Sequence, residues 1–169
     1  HATPSDISGN KVDIRLITHN RAFWLATAGY CGHNWELFAL WLWFKPFALE
    51  AGIGATLWPS DEDRGAALAA FLVIAASLVG CIGAGMLADK WGRTSICLGA
   101  LLVSIFSSVS LAWITDAPIM AVIVSVLWGM CAAGESAQYS AMVTEVVDKS
   151  VVGNAATMQF GIGFIFTMP

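Results

Sequence analysis

Four polar side chains, Tyr30, His33, Asn34 and Glu36, interrupt an apolar stretch near the start of the chain. Tyr30 to His33 and His33 to Glu36 are steps of three, and Tyr30 to Asn34 is a step of four, so on a helix all four share one face. A carboxylate beside an imidazole can take up and release a proton, and a phenol and an amide can hydrogen-bond a solute. Much later in the chain, Glu135, Gln138 and Tyr139 form a second such face, with Ser136 and Ser140 alongside. A third group is the run Gly85-Met86-Leu87-Ala88-Asp89-Lys90-Trp91-Gly92-Arg93. It packs a carboxylate, two cations and two glycines into a short turn between apolar stretches. Ion pairs in such a turn can hold two helices to a neighbour and release them, which is the mechanics of a gate.

The elements that position these groups follow from composition. Hydrophobic residues make up 57% of the chain, charged residues 12%, and the mean hydropathy is +0.71. A soluble domain carries roughly 25% charged residues. Here the charges collect between apolar runs, which identifies an integral membrane protein and leaves the net charge of −4 with little to say about partners. Five stretches approach the ~20 apolar residues a crossing needs: 22–44, 66–88, 95–114, 118–147 and 151–169. No β-barrel alternation is present, and lipid requires a backbone that satisfies itself, so the expected fold is all-α. Residues 1–20 are polar and lack a signal-peptide core; they read as a cytoplasmic N-terminal segment or interdomain loop before a membrane domain at 21–169. The chain opens on His1 and stops at Pro169 inside an apolar run, and both ends read as cuts in a longer polypeptide.

Lys11, Arg15, Arg21, Lys90, Arg93 and Lys149 fall on one side of this topology and Lys45 and Arg64 on the other. That asymmetry puts the N-terminus and the Gly85–Arg93 turn in the cytoplasm. Trp24, Trp41, Trp43, Trp58, Trp91 and Trp113 lie near span ends, as an interfacial belt does, whereas Trp35 and Trp128 lie deeper and fit packing or cavity lining. Gly80, Gly83, Gly85, Gly161 and Gly163 are expected where helices approach closely. Cys31, Cys81, Cys97 and Cys131 stand singly in apolar segments and read as small packing residues, so no disulfide, metal or cofactor is expected.

Glu36 decides how much chemistry to expect. A charged carboxylate at this depth costs at least ~2.5 kcal/mol, so its face must look into protein or a wet cavity. One reading is a solute or proton site in which His33 tunes Glu36; the other is a buried pair that fixes helix packing. Glu135 is the mid-membrane acid of the fourth span, while Glu145 sits near the cytoplasmic surface with a cation to hand.

The Gly85–Arg93 run resembles the cytoplasmic loop motif of the major facilitator superfamily, G-x-L-A-D-[RK]-x-G-R-[RK], departing only at Thr94. Gly29-Tyr30-Cys31-Gly32-His33-Asn34-Trp35-Glu36-Leu37 is similar to the seventh helix of a bacterial subgroup. Ser136-Ala137-Gln138-Tyr139-Ser140-Ala141 with Val143-Thr144-Glu145 is similar to its tenth, and Gly153-Asn154-Ala155-Ala156-Thr157 to its eleventh. The resemblance implies five transmembrane helices of a six-helix half bundle, from the C-terminal half of a carrier in a bacterial inner membrane. It implies transport of a small solute by alternating access, possible H⁺ symport, and no enzyme activity. Tyr30, His33, Asn34, Glu36, Glu135, Gln138 and Tyr139 would line the cavity. Gly85, Asp89, Lys90, Gly92, Arg93 and Glu145 would form the cytoplasmic latch, with Asp89 bracing a helix end of the opposite half and Arg93 pairing with Glu145. The partners implied are solute, H⁺, lipid and the missing half, with no nucleic acid. Two rivals stay open: a truncated, non-transporting assembly subunit bound to another membrane protein, and a carrier assembled from separate halves.

Overall fold

A computed structural model describes residues 13–114 and 116–168, and all regular structure among them is helical. Lys11 and the rest of the first twelve residues of the segment expected at 1–20 lie outside the described residues, as does Pro169 at the end of the fifth expected span. Seven helices follow in order: α1 (Arg15–Thr18), α2 (Arg21–Glu50), α3 (Ile53–Leu57), α4 (Glu62–Trp91), α5 (Arg93–Ser110), α6 (Pro118–Val146) and α7 (Val152–Thr167). The one-turn α1 and α3 carry no amphipathic pattern long enough to announce them. Both lie in connections where Ile17 and Ile53 find buried positions.

Local signals set the ends. Asn20 caps α2 by accepting from the Ala22 and Phe23 amides at 2.9 and 3.2 Å, and its amide nitrogen donates to the Val146 carbonyl at the end of α6. Asp61 caps α4 through the Arg64 amide. Glu62 and Asp63 in the first turn and Lys90 in the last complement the helix dipole. Pro118 opens α6, where its missing N–H costs nothing. Pro46 lies inside α2, leaving the last turn one backbone bond short. The α6–α7 turn is held by Asp148, which accepts from the Ser150 hydroxyl at 2.6 Å and the Ser150 amide at 2.8 Å. These two donors hold the Asp148 carboxyl below its ordinary range. Ser150→Ala removes the larger of the two contributions and should move this titration upward, which a carboxyl-carbon NMR titration would read.

The bundle is apolar outside and polar within. Leu78, Phe106 and Ile165 are among many large apolar side chains turned outward, while His33, Asn34, Ser104, Ser125, Glu135, Gln138 and Gln159 are buried. That inversion suits a hydrocarbon solvent, where an outward-facing apolar side chain needs no burial. Helices α4, α5 and α6 are each long and apolar enough to cross a bilayer. Helix α2 is 30 residues long, with its polar face around the middle, and α7 has 16 residues.

Helices α4 and α6 meet backbone to backbone. A Cβ at Gly80 would collide with the Met130 backbone, one at Gly129 with the Val73 carbonyl, and one at Gly134 would press on Ala84 and Gly80. The close approach lets Ser77 and Cys81, one turn apart, donate to the Gly129 and Ala133 carbonyls, each at 3.2 Å. Cys81 is therefore a donor as well as a packing residue. The expectation of close packing holds at Gly80 and at Gly163, where an added Cβ would meet Tyr30 and Asn34, but Gly83, Gly85 and Gly161 have nothing within 4 Å. Helical rotation turns Gly83 and Gly85 away from the α4–α6 seam, and Gly161 stands on α7. Trp35, expected to pack or to line a cavity, is instead 57% exposed, because its neighbours His33 and Asn34 take the inward face.

Candidate functional site

Helix α2 and helix α6 bring the two polar faces together. His33 Nδ1 lies 3.8 Å from Glu135 Oε2, and both side chains are fully enclosed. Neither oxygen of Glu135 and neither ring nitrogen of His33 has a hydrogen-bond partner among the described residues. Glu36 is half-buried beside them. Its Oε1 accepts from the Trp128 indole N–H at 2.7 Å and from the Ser104 hydroxyl. Ligand atoms of His33, Glu36 and Glu135 all lie within 4.8 Å of one another. The expectation of no metal-ligand set rested on spacing along one segment, and this grouping comes from two helices far apart in the chain.

Aromatic rings frame the group. Tyr139 packs on His33 with ring centroids 5.6 Å apart, and Tyr30 packs edge-on against Tyr139 and Phe160. Gly29 makes room for the Tyr139 ring. Asn34 is buried against Gly163 alongside Tyr30, its amide nitrogen without a partner among the described residues. On the Tyr139 side a cavity of ≈520 Å³ is lined by Ala26, Gly29, Arg93, Cys97, Tyr139 and Glu145. On the Trp128 side a smaller cavity of ≈280 Å³ is lined by Trp43, Phe44, Phe47, Leu111 and Trp128. Trp128 and Tyr139 are eleven residues apart on one helix, about 16 Å along its axis, with Glu135 between them.

The motif run lies at the end of the bundle where α2 begins and α6 ends. Gly92 closes α4 and opens α5 with φ +83°, a left-handed conformation that a residue with a Cβ adopts only under strain. Arg93 starts α5 and reaches α6 twice: Nε donates to Glu145 Oε1 at 2.6 Å and Nη1 donates to Gln138 Oε1 at 3.2 Å. Gln138, expected in the cavity, is thus held by the motif arginine, one turn from Glu135. Asp89, Lys90 and Gly92 are exposed, Gly85 is half-buried, and Asp89 has no hydrogen-bond or ion-pair partner among the described residues.

Sequence reasoning missed Ser104 and Gln159. Ser104 shares a step of three with Ser107, both buried on α5, and that small-polar periodicity is a signal that could have found it. Gln159 is fully buried on α7 and donates to the Tyr139 carbonyl at 3.5 Å. A lone amide in a 16-residue helix offers no pattern.

A chain whose described residues form only helices, with an apolar exterior and ionisable groups enclosed among them, is a multi-pass integral membrane protein of the transporter class. It belongs to the Major Facilitator Superfamily, whose family model matches residues 2–168. No curated protein and no solved structure matches it. Members of this family move small molecules through the lipid bilayer and are transporters, not enzymes.

Proposed function

We propose that the protein carries a small solute by alternating access, coupled to a proton, around His33, Glu36 and Glu135. The observation that carries this reading is the enclosed Glu135–His33 pair, with Tyr139 and Trp128 on either side of Glu135 along α6 each bordering a cavity that the pair itself does not line. A carboxylate enclosed in hydrocarbon needs a compensating positive charge, and that charge is what a coupled carrier loads and unloads. Tyr30 and Asn34 complete the solute side from α2, with Gln138 and Tyr139 from α6. Tyr139 and Trp128 act as the inner and outer lids.

The Arg93–Glu145 pair stands on the wall of the larger cavity, and its release widens the Tyr139 side. Asp89, exposed and without a partner among the described residues, suits a contact from the other half of the carrier. In this reading the chain supplies helices seven to eleven of a bacterial inner-membrane carrier, with the N-terminus and the motif turn cytoplasmic. Six of the eight cations on that side support the orientation. At the opposite end Lys45 pairs with Asp63 at 2.8 Å and Arg64 with Asp61 at 3.0 Å, so both cations there are neutralised.

Uptake into vesicles by the full natural carrier, wild type against Glu36→Gln, with and without a pH gradient, tests the reading. Gradient-driven uptake should fall at least tenfold in the variant. Unchanged gradient dependence would remove the proton role. No uptake by the wild type, with stable co-purification of another membrane protein, would favour an assembly subunit instead.

A further inference from the structure

We propose that His33, Glu36 and Glu135 form a binding site for a divalent first-row transition-metal ion, which this carrier loads at the cluster in exchange for its protons. The proposal rests on the reading of this cluster as the carrier's binding site. Three observations carry it. The ligand atoms of the three residues lie within 4.8 Å of one another. Two of the three side chains, His33 and Glu135, are enclosed, and all their polar atoms lack a hydrogen-bond partner among the described residues. Finally, the pair separation is close to that of a coordination shell. A tetrahedral ion with bonds of ~2.1 Å places its ligands about 3.4 Å apart, and His33 Nδ1 and Glu135 Oε2 stand at 3.8 Å.

Charge and ligand type narrow the occupant. Two carboxylates and a neutral imidazole carry −2, so a divalent ion brings the enclosed site to zero, which low-dielectric surroundings favour. An imidazole among the ligands suits Mn²⁺, Fe²⁺, Co²⁺ or Zn²⁺, whereas Mg²⁺ and Ca²⁺ take oxygen shells. Three protein ligands leave a coordination position open, where a carboxylate or hydroxyl of a solute can bind. The Trp128 and Ser104 donors to Glu36 Oε1 are the supports that orient a ligating carboxylate and leave its other oxygen free for the ion.

The test is Co²⁺ titration of the full carrier in detergent, with any affinity tag removed, read by visible absorption. One Co²⁺ per chain is expected, with bands of an imidazole–carboxylate site, and equimolar Mg²⁺ should not displace it. Glu135→Gln and His33→Gln should each weaken binding by more than about tenfold, and Asp148→Asn should leave it unchanged. If Glu135→Gln loses its helical circular dichroism, Glu36→Gln and His33→Gln decide the matter. Absence of saturable Co²⁺ binding in folded wild type overturns the proposal, as does binding that survives both of the variants that fold. Vesicle uptake separates this from the transport reading. Uptake without metal binding refutes the metal site alone, and metal binding without uptake refutes the carrier.

Discussion

Gly80→Val should lower the stability of the bundle by about 3 kcal/mol, at the upper end of what overpacking costs. The added atoms meet the backbone of Met130 rather than the end of a flexible side chain, so the α4–α6 seam can relieve them only by separating. Separation also lengthens the Ser77–Gly129 and Cys81–Ala133 hydrogen bonds, because their donors sit one residue row from the collision. Gly83→Val is the matched control: it lies on the same helix with nothing within 4 Å, and its effect should stay within about 0.5 kcal/mol. Thermal unfolding of both variants in one detergent checks the difference. Equal melting temperatures would mean the two helices do not touch where the structure puts them.

Arg93→Met should be much more damaging than Glu145→Gln, although each breaks the same ion pair. Glu145 is 54% exposed at its side chain, and an exposed pair is worth at most about 1 kcal/mol. Removing Arg93 also strips Gln138 of the donor to its Oε1, inside a position 1% exposed, and an orphaned buried acceptor costs about 1–3 kcal/mol. The expected order is wild type, then Glu145→Gln, then Arg93→Met, in both thermal stability and transport rate. Equal effects from the two variants would show that Gln138 takes nothing from the arginine.

What the sequence made legible followed from pattern strength. Long apolar runs bounded by charges announce helices, and i,i+3 and i,i+4 steps put Tyr30, His33, Asn34 and Glu36 on one face without any knowledge of their neighbours. The motif was readable as a unit because glycine, acid and base stand at fixed spacing, but it is not the turn its composition suggested. Residues 85–91 finish α4, Arg93 opens α5, and only Gly92, whose left-handed φ explains its identity, lies outside a helix. Partners across helices were another matter. That Glu36 would face Trp128 and Ser104, while His33 faced Glu135, depends on how α2, α5 and α6 rotate against one another, and no local spacing encodes that rotation. Gln138 shows the same limit: its helical face was clear, but the arginine it meets comes from another helix. Glycines were over-read for a related reason, since Gly83 and Gly85 share a segment with Gly80 but not its direction.

Asn20 uses both ends of its amide, the oxygen to start α2 and the nitrogen to finish α6. The opening turn of one helix and the closing turn of the other therefore fray as a unit. Amide exchange at Ala22 and Phe23 should slow or quicken in step with opening of the α6 terminus, and a single substitution at Asn20 would uncouple two tips that lie 126 positions apart in the chain.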